Sequence, residues 1–192
     1  MECENKKVKE QGGVMGLVTF TSYDIEGIPE AESIDKQLSQ AVDMPNEIYS
    51  RLVARLKELC DFREYTFQNQ VHLSGRSIFA RLLVNDTTYT GEINYGALGT
   101  STAVIADTDT TLTTEVARKG IATRSRTNDS VSIDFYYSKG DTNGTYEEFG
   151  CFVDGTASVD TGQMFNRVLT GGWDKSATEA MTVSVQIDIN AA

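Results

Sequence analysis

Up to Val84 the apolar positions of this chain alternate between helical spacing and a spacing of two; from Gly91 onward they keep to two. Val14, Leu17, Val18, Phe20, Tyr23 and Ile25 form a β-rich run with imperfect alternation, closed by Gly27 and Pro29, and predict a first strand. Pro29 suits the first turn of a helix, where its missing N–H would be unpaired anyway, and Ile34, Leu38, Ala41 and Val42 share one face to about Val42. Asp43 ahead of Met44-Pro45 marks another helix start. Ile48, Leu52, Leu56 and Leu59 then make Asn46 to Asp61 the clearest helix, with Arg51, Arg55 and Lys57 on its other faces. Tyr65 to Leu73 alternates and predicts a strand, Ser74-Gly75 a turn, and Arg76 to Val84 a short helix with Ile78, Phe79, Leu82 and Leu83 inward.

Six strands are predicted beyond that point: Gly91–Leu98, Thr113–Arg124, Ser130–Tyr137, Tyr146–Val153, Gly162–Leu169 and Met181–Ile189. Turn signals separate them at Asp107-Thr108-Asp109, Asn128-Asp129, Asp141 to Gly144, Asp154-Gly155 and Gly171-Gly172. Asn143-Gly144 reads as a hairpin, because both residues tolerate positive φ. Val183, Val185, Ile187 and Ile189 alternate strictly with polar residues, as in a strand with one wet face. The expected fold is α+β: an N-terminal strand and helix region followed by an antiparallel, jelly-roll-like β-sandwich. The expected organisation is a flexible arm over 1–13, a mixed attachment region over 14–90 and the sandwich over 91–192. The arm mixes Glu and Lys without an apolar period, so it is expected to be disordered or to order on a partner.

Length and composition fit this picture. A chain of 192 residues, 40% hydrophobic and 23% charged, can bury a real core. Sixteen Gly against two Pro favour turns and strands. The formal charge of −11 argues against nucleic acid or an anionic membrane as partner, since both select a basic face. It serves solubility, or repulsion from a nucleic-acid-filled interior. No apolar run approaches a membrane span, and the start Met1-Glu2-Cys3-Glu4 is not that of a secretory signal. Cys3, Cys60 and Cys151 are scattered, which suggests reduced thiols; Cys60 and Cys151 lie in apolar contexts and are expected in the core, while Cys3 could crosslink to a neighbour.

Candidate chemistry is sparse. The single histidine, His72, falls on the face opposite Val71 and Leu73 and is expected to meet solvent. No nucleophile elbow, phosphate loop or metal-ligand spacing occurs, so no catalytic, cofactor-binding or metal residues are assigned and no cofactor is expected. Asp141-x-Asn143-Gly144 with Glu147 and Glu148 resembles an oxygen-rich calcium loop but lacks the ligand order that an EF-hand needs. Glu147 and Glu148 are adjacent on a strand and so point to opposite faces, not at one substrate. Arg118, Lys119, Arg124 and Arg126 form the densest basic stretch and read as a solvated strand or a salt-bridged subunit surface. Trp173, after Gly171-Gly172, and Tyr136 and Tyr137 are the candidate contact residues, either for a sugar or for a protein partner; the plainer reading of Trp173 is a side chain folded over the end of the sandwich.

One resemblance adds to this. Ile93 to Thr100, Asp107 to Arg118, Glu148 to Phe152, Thr161 to Arg167 and Lys175 to Val183 together resemble a β-rich structural module of tailed-bacteriophage virion proteins of the tail, fibre or head-decoration type. The resemblance spans about half of the chain and carries no active-site residues. It implies a non-enzymatic virion structural protein, a tail, neck or baseplate component or a capsid decoration, assembled in the host cytoplasm. It further implies a homo-oligomer that packs with other virion proteins, without nucleic acid or membrane. A carbohydrate-binding receptor module of a phage fibre is the alternative.

Overall fold

A computed structural model describes residues 13–190; the expectations for the N-terminal arm and Cys3 lie outside them. The chain runs β1 (Gly13–Asp24), α1 (Pro29–Leu38), α2 (Asn46–Leu59), β2 (Phe62–Val71), α3 (Leu73–Leu83), β3 (Ile93–Gly99), β4 (Glu115–Gly120), β5 (Thr123–Thr127), β6 (Ser130–Tyr137), β7 (Gly144–Val153), β8 (Gln163–Lys175) and β9 (Glu179–Asn190). The strands form two antiparallel sheets, β2-β1-β9-β6-β5 and β4-β3-β7-β8-β2, packed as the expected sandwich in an α+β fold. No described helix is long and apolar enough to cross a membrane.

Two segments turn the corners between the sheets. β2 pairs with β1 from Phe62 to Asn69 and with β8 only at Gln70 and Val71. At the other corner β4 bonds to β3, and the chain then crosses through Ile121-Ala122 to become β5. The Ile121 N–H donates to the Asn94 carbonyl and the Ala122 N–H to that of Asp134. This crossing explains why the single strand expected over 113–124 is two. Sheets that meet at such corners share one closed core.

The boundary expected at residue 91 does not exist as a change of layer. β1 sits in the interior of its sheet, bonded to β2 on one side and along its whole length to β9 on the other. Val18 and Phe20 of β1 enter the same core as Phe135, Phe149 and Val185. The Phe20 ring lies 5.7 Å from Phe67, 5.8 Å from Phe149 and 5.6 Å from Trp173, an aromatic knot that ties the two sheets. On the outer face of the first sheet, Tyr23, Ile25 and Tyr136 pack under Ile34, Leu38 and Leu56 of α1 and α2. Cys60 and Cys151 are buried, as their apolar contexts predict.

Turn chemistry differs from expectation in two places. The tight hairpin is Asn128-Asp129, between the paired Thr127 and Ser130, with Asn128 in the left-handed region at φ 54°. Asn143-Gly144 instead carries the chain from β6 to β7, which lie in different sheets, so it closes no hairpin. Ser74-Gly75 is not a turn either: α3 begins at Leu73 and includes both residues.

Candidate functional site

All three expected contact residues lie inside the molecule. Gly171 and Gly172 do not place Trp173 in a loop; at φ 65° and 90° they kink β8 and the strand continues to Lys175. Trp173 is therefore only 8% exposed, and its indole N–H donates to Ser22 Oγ at 3.1 Å. The Arg63 guanidinium covers the ring at 4.5 Å. Tyr136 and Tyr137 point to opposite faces of β6, and both are buried. The Tyr136 hydroxyl donates to Asp35 Oδ1 of α1 at 2.8 Å, and that of Tyr137 to the Gly96 carbonyl of the facing sheet at 3.1 Å. Rings already covered on both faces offer a sugar no stacking surface, so the three residues act as internal ties.

The polar feature that the sequence hid is a buried ionic cluster on the outer face of β7 and β8. Arg167 donates to Glu148 through Nε at 2.8 Å and to Asp109 through Nη1 at 2.7 Å, with Thr113 Oγ1 at 3.1 Å. Arg167 and Glu148 side chains are 1% and 0% exposed. Glu148 also accepts the backbone N–H groups of Thr113 and Thr114 at 3.2 and 2.9 Å. The pair thereby fastens the long segment 100–114 onto the sheet, a connection too long to hold its shape unaided. Burial pushes the Asp109 carboxyl up, but the Ala106 N–H and the Arg167 guanidinium outweigh it and hold the pKa below its ordinary value. Arg118, likewise buried, bonds to Glu115 at 2.5 Å and to the Thr156 and Thr161 carbonyls at 3.0 Å, fixing the β7–β8 loop.

His72 lies beneath the same segment and not in solvent. β2 ends one residue before it, and its backbone N–H bonds to the Phe165 carbonyl, which turns the ring inward at the start of α3. Neither ring nitrogen has a hydrogen bond of good geometry among the described residues, although the Ala106 carbonyl lies near. Burial pushes its pKa below 6.5, with that carbonyl, Asp109 and Asp107 pulling weakly upward and Arg167 downward. Of the calcium-like loop, Asp141 accepts from Lys119 at 2.7 Å, Asn143 from Lys175 at 2.7 Å and Glu148 from Arg167 at 2.8 Å.

Two features face outward. One is a seam. Residues 62–69 of β2 pair with β1 alone, and the stretch of β8 beyond Arg167 pairs with β7 alone, so both edges lack a strand partner among the described residues; β2 is largely exposed along this length, whereas Val168, Thr170, Trp173 and Lys175 of β8 are buried. Arg63 bridges the gap to the Asp174 carbonyl and Glu179, while Tyr65 is 60% and Phe62 47% exposed. The other is an apolar cavity of about 380 Å³ at the Val71 end of the sandwich, between α3 and strands β5, β6 and β9. Nothing in the sequence period could reveal either, because both depend on which strands become neighbours.

No family profile, curated protein or solved structure matches the chain.

Proposed function

We propose that this chain is a non-enzymatic structural subunit that works by packing against copies of itself and against neighbouring proteins. The observation that carries this reading is the seam between β2 and β8. Unpaired strand edges present rows of N–H and C=O groups that another strand can complete, and isolated proteins blunt or cover them. Here the edge is flanked by exposed Phe62 and Tyr65, which add apolar area to such a contact. The charged clusters fit the same reading: Arg167, Glu148, Arg118 and Glu115 saturate one another and stiffen loops. The assembly we assign is a tailed-phage virion, in its tail, neck or baseplate or as a capsid decoration, and this rests on the sequence resemblance. The sugar-binding alternative loses its three named residues to the interior.

Sedimentation of the purified chain tests the proposal. We expect a discrete oligomer that Tyr65→Lys converts to monomer while far-UV circular dichroism is unchanged, since an edge lysine opposes strand addition. A protein that stays monomeric at its highest soluble concentration, and is absent from purified particles by mass spectrometry, would contradict it.

A further inference from the structure

We infer that the cavity beneath α3 is a binding site for a single-chain amphiphile with an anionic head, of the class of a free medium-chain fatty acid. The walls come from Ile78, Phe79 and Leu82 of α3, Val131 and Ile133 of β6 and Ile187 of β9. Register explains the rim. Arg124 pairs with Ile133 and Arg126 with Val131, so both arginines share the core-facing side of β5 and lay their stems along the cavity. Arg124 is neutralised, by Glu92 at 2.5 Å and Asp43 at 2.8 Å. Arg126 meets no carboxylate among the described residues; its Nη1 donates only to the Asn128 carbonyl at 2.8 Å. The site thus pairs an apolar wall with one uncompensated guanidinium at its mouth, which is the charge pattern of an acyl chain and its carboxylate. Leu82, 47% exposed, and Ile189, 45% exposed, form an apolar lip where the chain would enter. A volume of about 380 Å³ lies near the lower end of ligand pockets, which suits one acyl chain and excludes a diacyl lipid.

Calorimetry and amide chemical-shift mapping on the intact chain, with sodium dodecanoate below its micelle concentration, test this. Dodecanoate is expected to shift the amides of Gly91, Val131 and Ile187, and affinity is expected to fall by roughly fourfold for each methylene removed toward octanoate. Arg126→Ala should weaken dodecanoate at least about tenfold, Arg126→Lys should recover part of that, and neither should change binding of dodecanol. Val131→Trp, which fills the cavity, should abolish binding of both while leaving the melting curve cooperative. Equal affinity for dodecanoate and dodecanol, shifts that map away from the cavity, or no binding would overturn the inference. So would binding to anionic phospholipid vesicles with none to free dodecanoate. An oligomer that Leu82→Glu dissociates and dodecanoate leaves intact would also overturn it, because the cavity would then be a subunit contact.

Discussion

Removing either half of the Arg167–Glu148 pair leaves the other charge where water cannot reach it. Each side chain is almost wholly covered, and Glu148 also anchors two backbone amides. Glu148→Gln or Arg167→Met should therefore cost about 3–5 kcal/mol in urea denaturation, whereas the double variant Arg167→Met, Glu148→Leu should cost less than the sum. His72 gives a second, pH-dependent signature. Its folded pKa lies below the unfolded 6.5, so below that pH the unfolded chain takes up a proton that the folded chain refuses. Stability should fall as pH drops through about 6.5 and below, and His72→Leu should flatten that dependence in thermal melts. Asp107 and Asp109, which face the ring region, are both held below their ordinary values and keep their charge across this window. At this scale the sequence was legible where a residue's environment is set by its neighbours in the chain, as for Cys60 and Cys151. It misled for His72, Tyr136 and Tyr137 and for the loop placement of Trp173, although the plainer reading of Trp173 as a covered side chain holds; their partners, such as Ser22, Asp35 and Gly96, are far away in the chain.

Elements are more legible in the sequence than single residues, because hydrophobic period is a local property. Helices α1 and α2, and strands β6, β7 and β9, follow the pattern of their apolar positions, although α1 stops at Leu38 and leaves Val42 exposed. The exceptions are places where a tertiary contact cuts across the period. α3 starts early because Ser74 Oγ bonds to the Met164 carbonyl at 2.7 Å and Gly75 lies flat against β8. A Cβ on Gly75 would fall 2.2 Å from the Phe165 carbonyl oxygen, so the helix must lift to accept one. Gly75→Ala should then destabilise by about 1–3 kcal/mol despite the higher helix propensity of alanine, measurable as a lowered denaturation midpoint with an unchanged slope. β8 runs on through Gly171-Gly172 for the complementary reason: two left-handed glycines make a kink where the sequence suggested an end.

For the whole molecule, strand pairing runs across the division expected at residue 91, because pairing is non-local. β1 and β9 come from opposite ends of the chain and share the longest unbroken ladder, and no signal within either names the other. The same pairing choice leaves β2 with one partner along most of its length and makes the seam on which the proposed assembly depends. The formal charge of −11 opposes association of like subunits, so added salt should raise the oligomeric fraction, as sedimentation at two ionic strengths would report. Hydrogen exchange at increasing protein concentration decides whether the seam is an assembly surface. Amides within 63–69 and 168–175 are expected to gain protection with concentration while the solvent-facing helix α2 does not. Exchange at those edges that stays independent of concentration, in a protein that also sediments as a monomer, would contradict it.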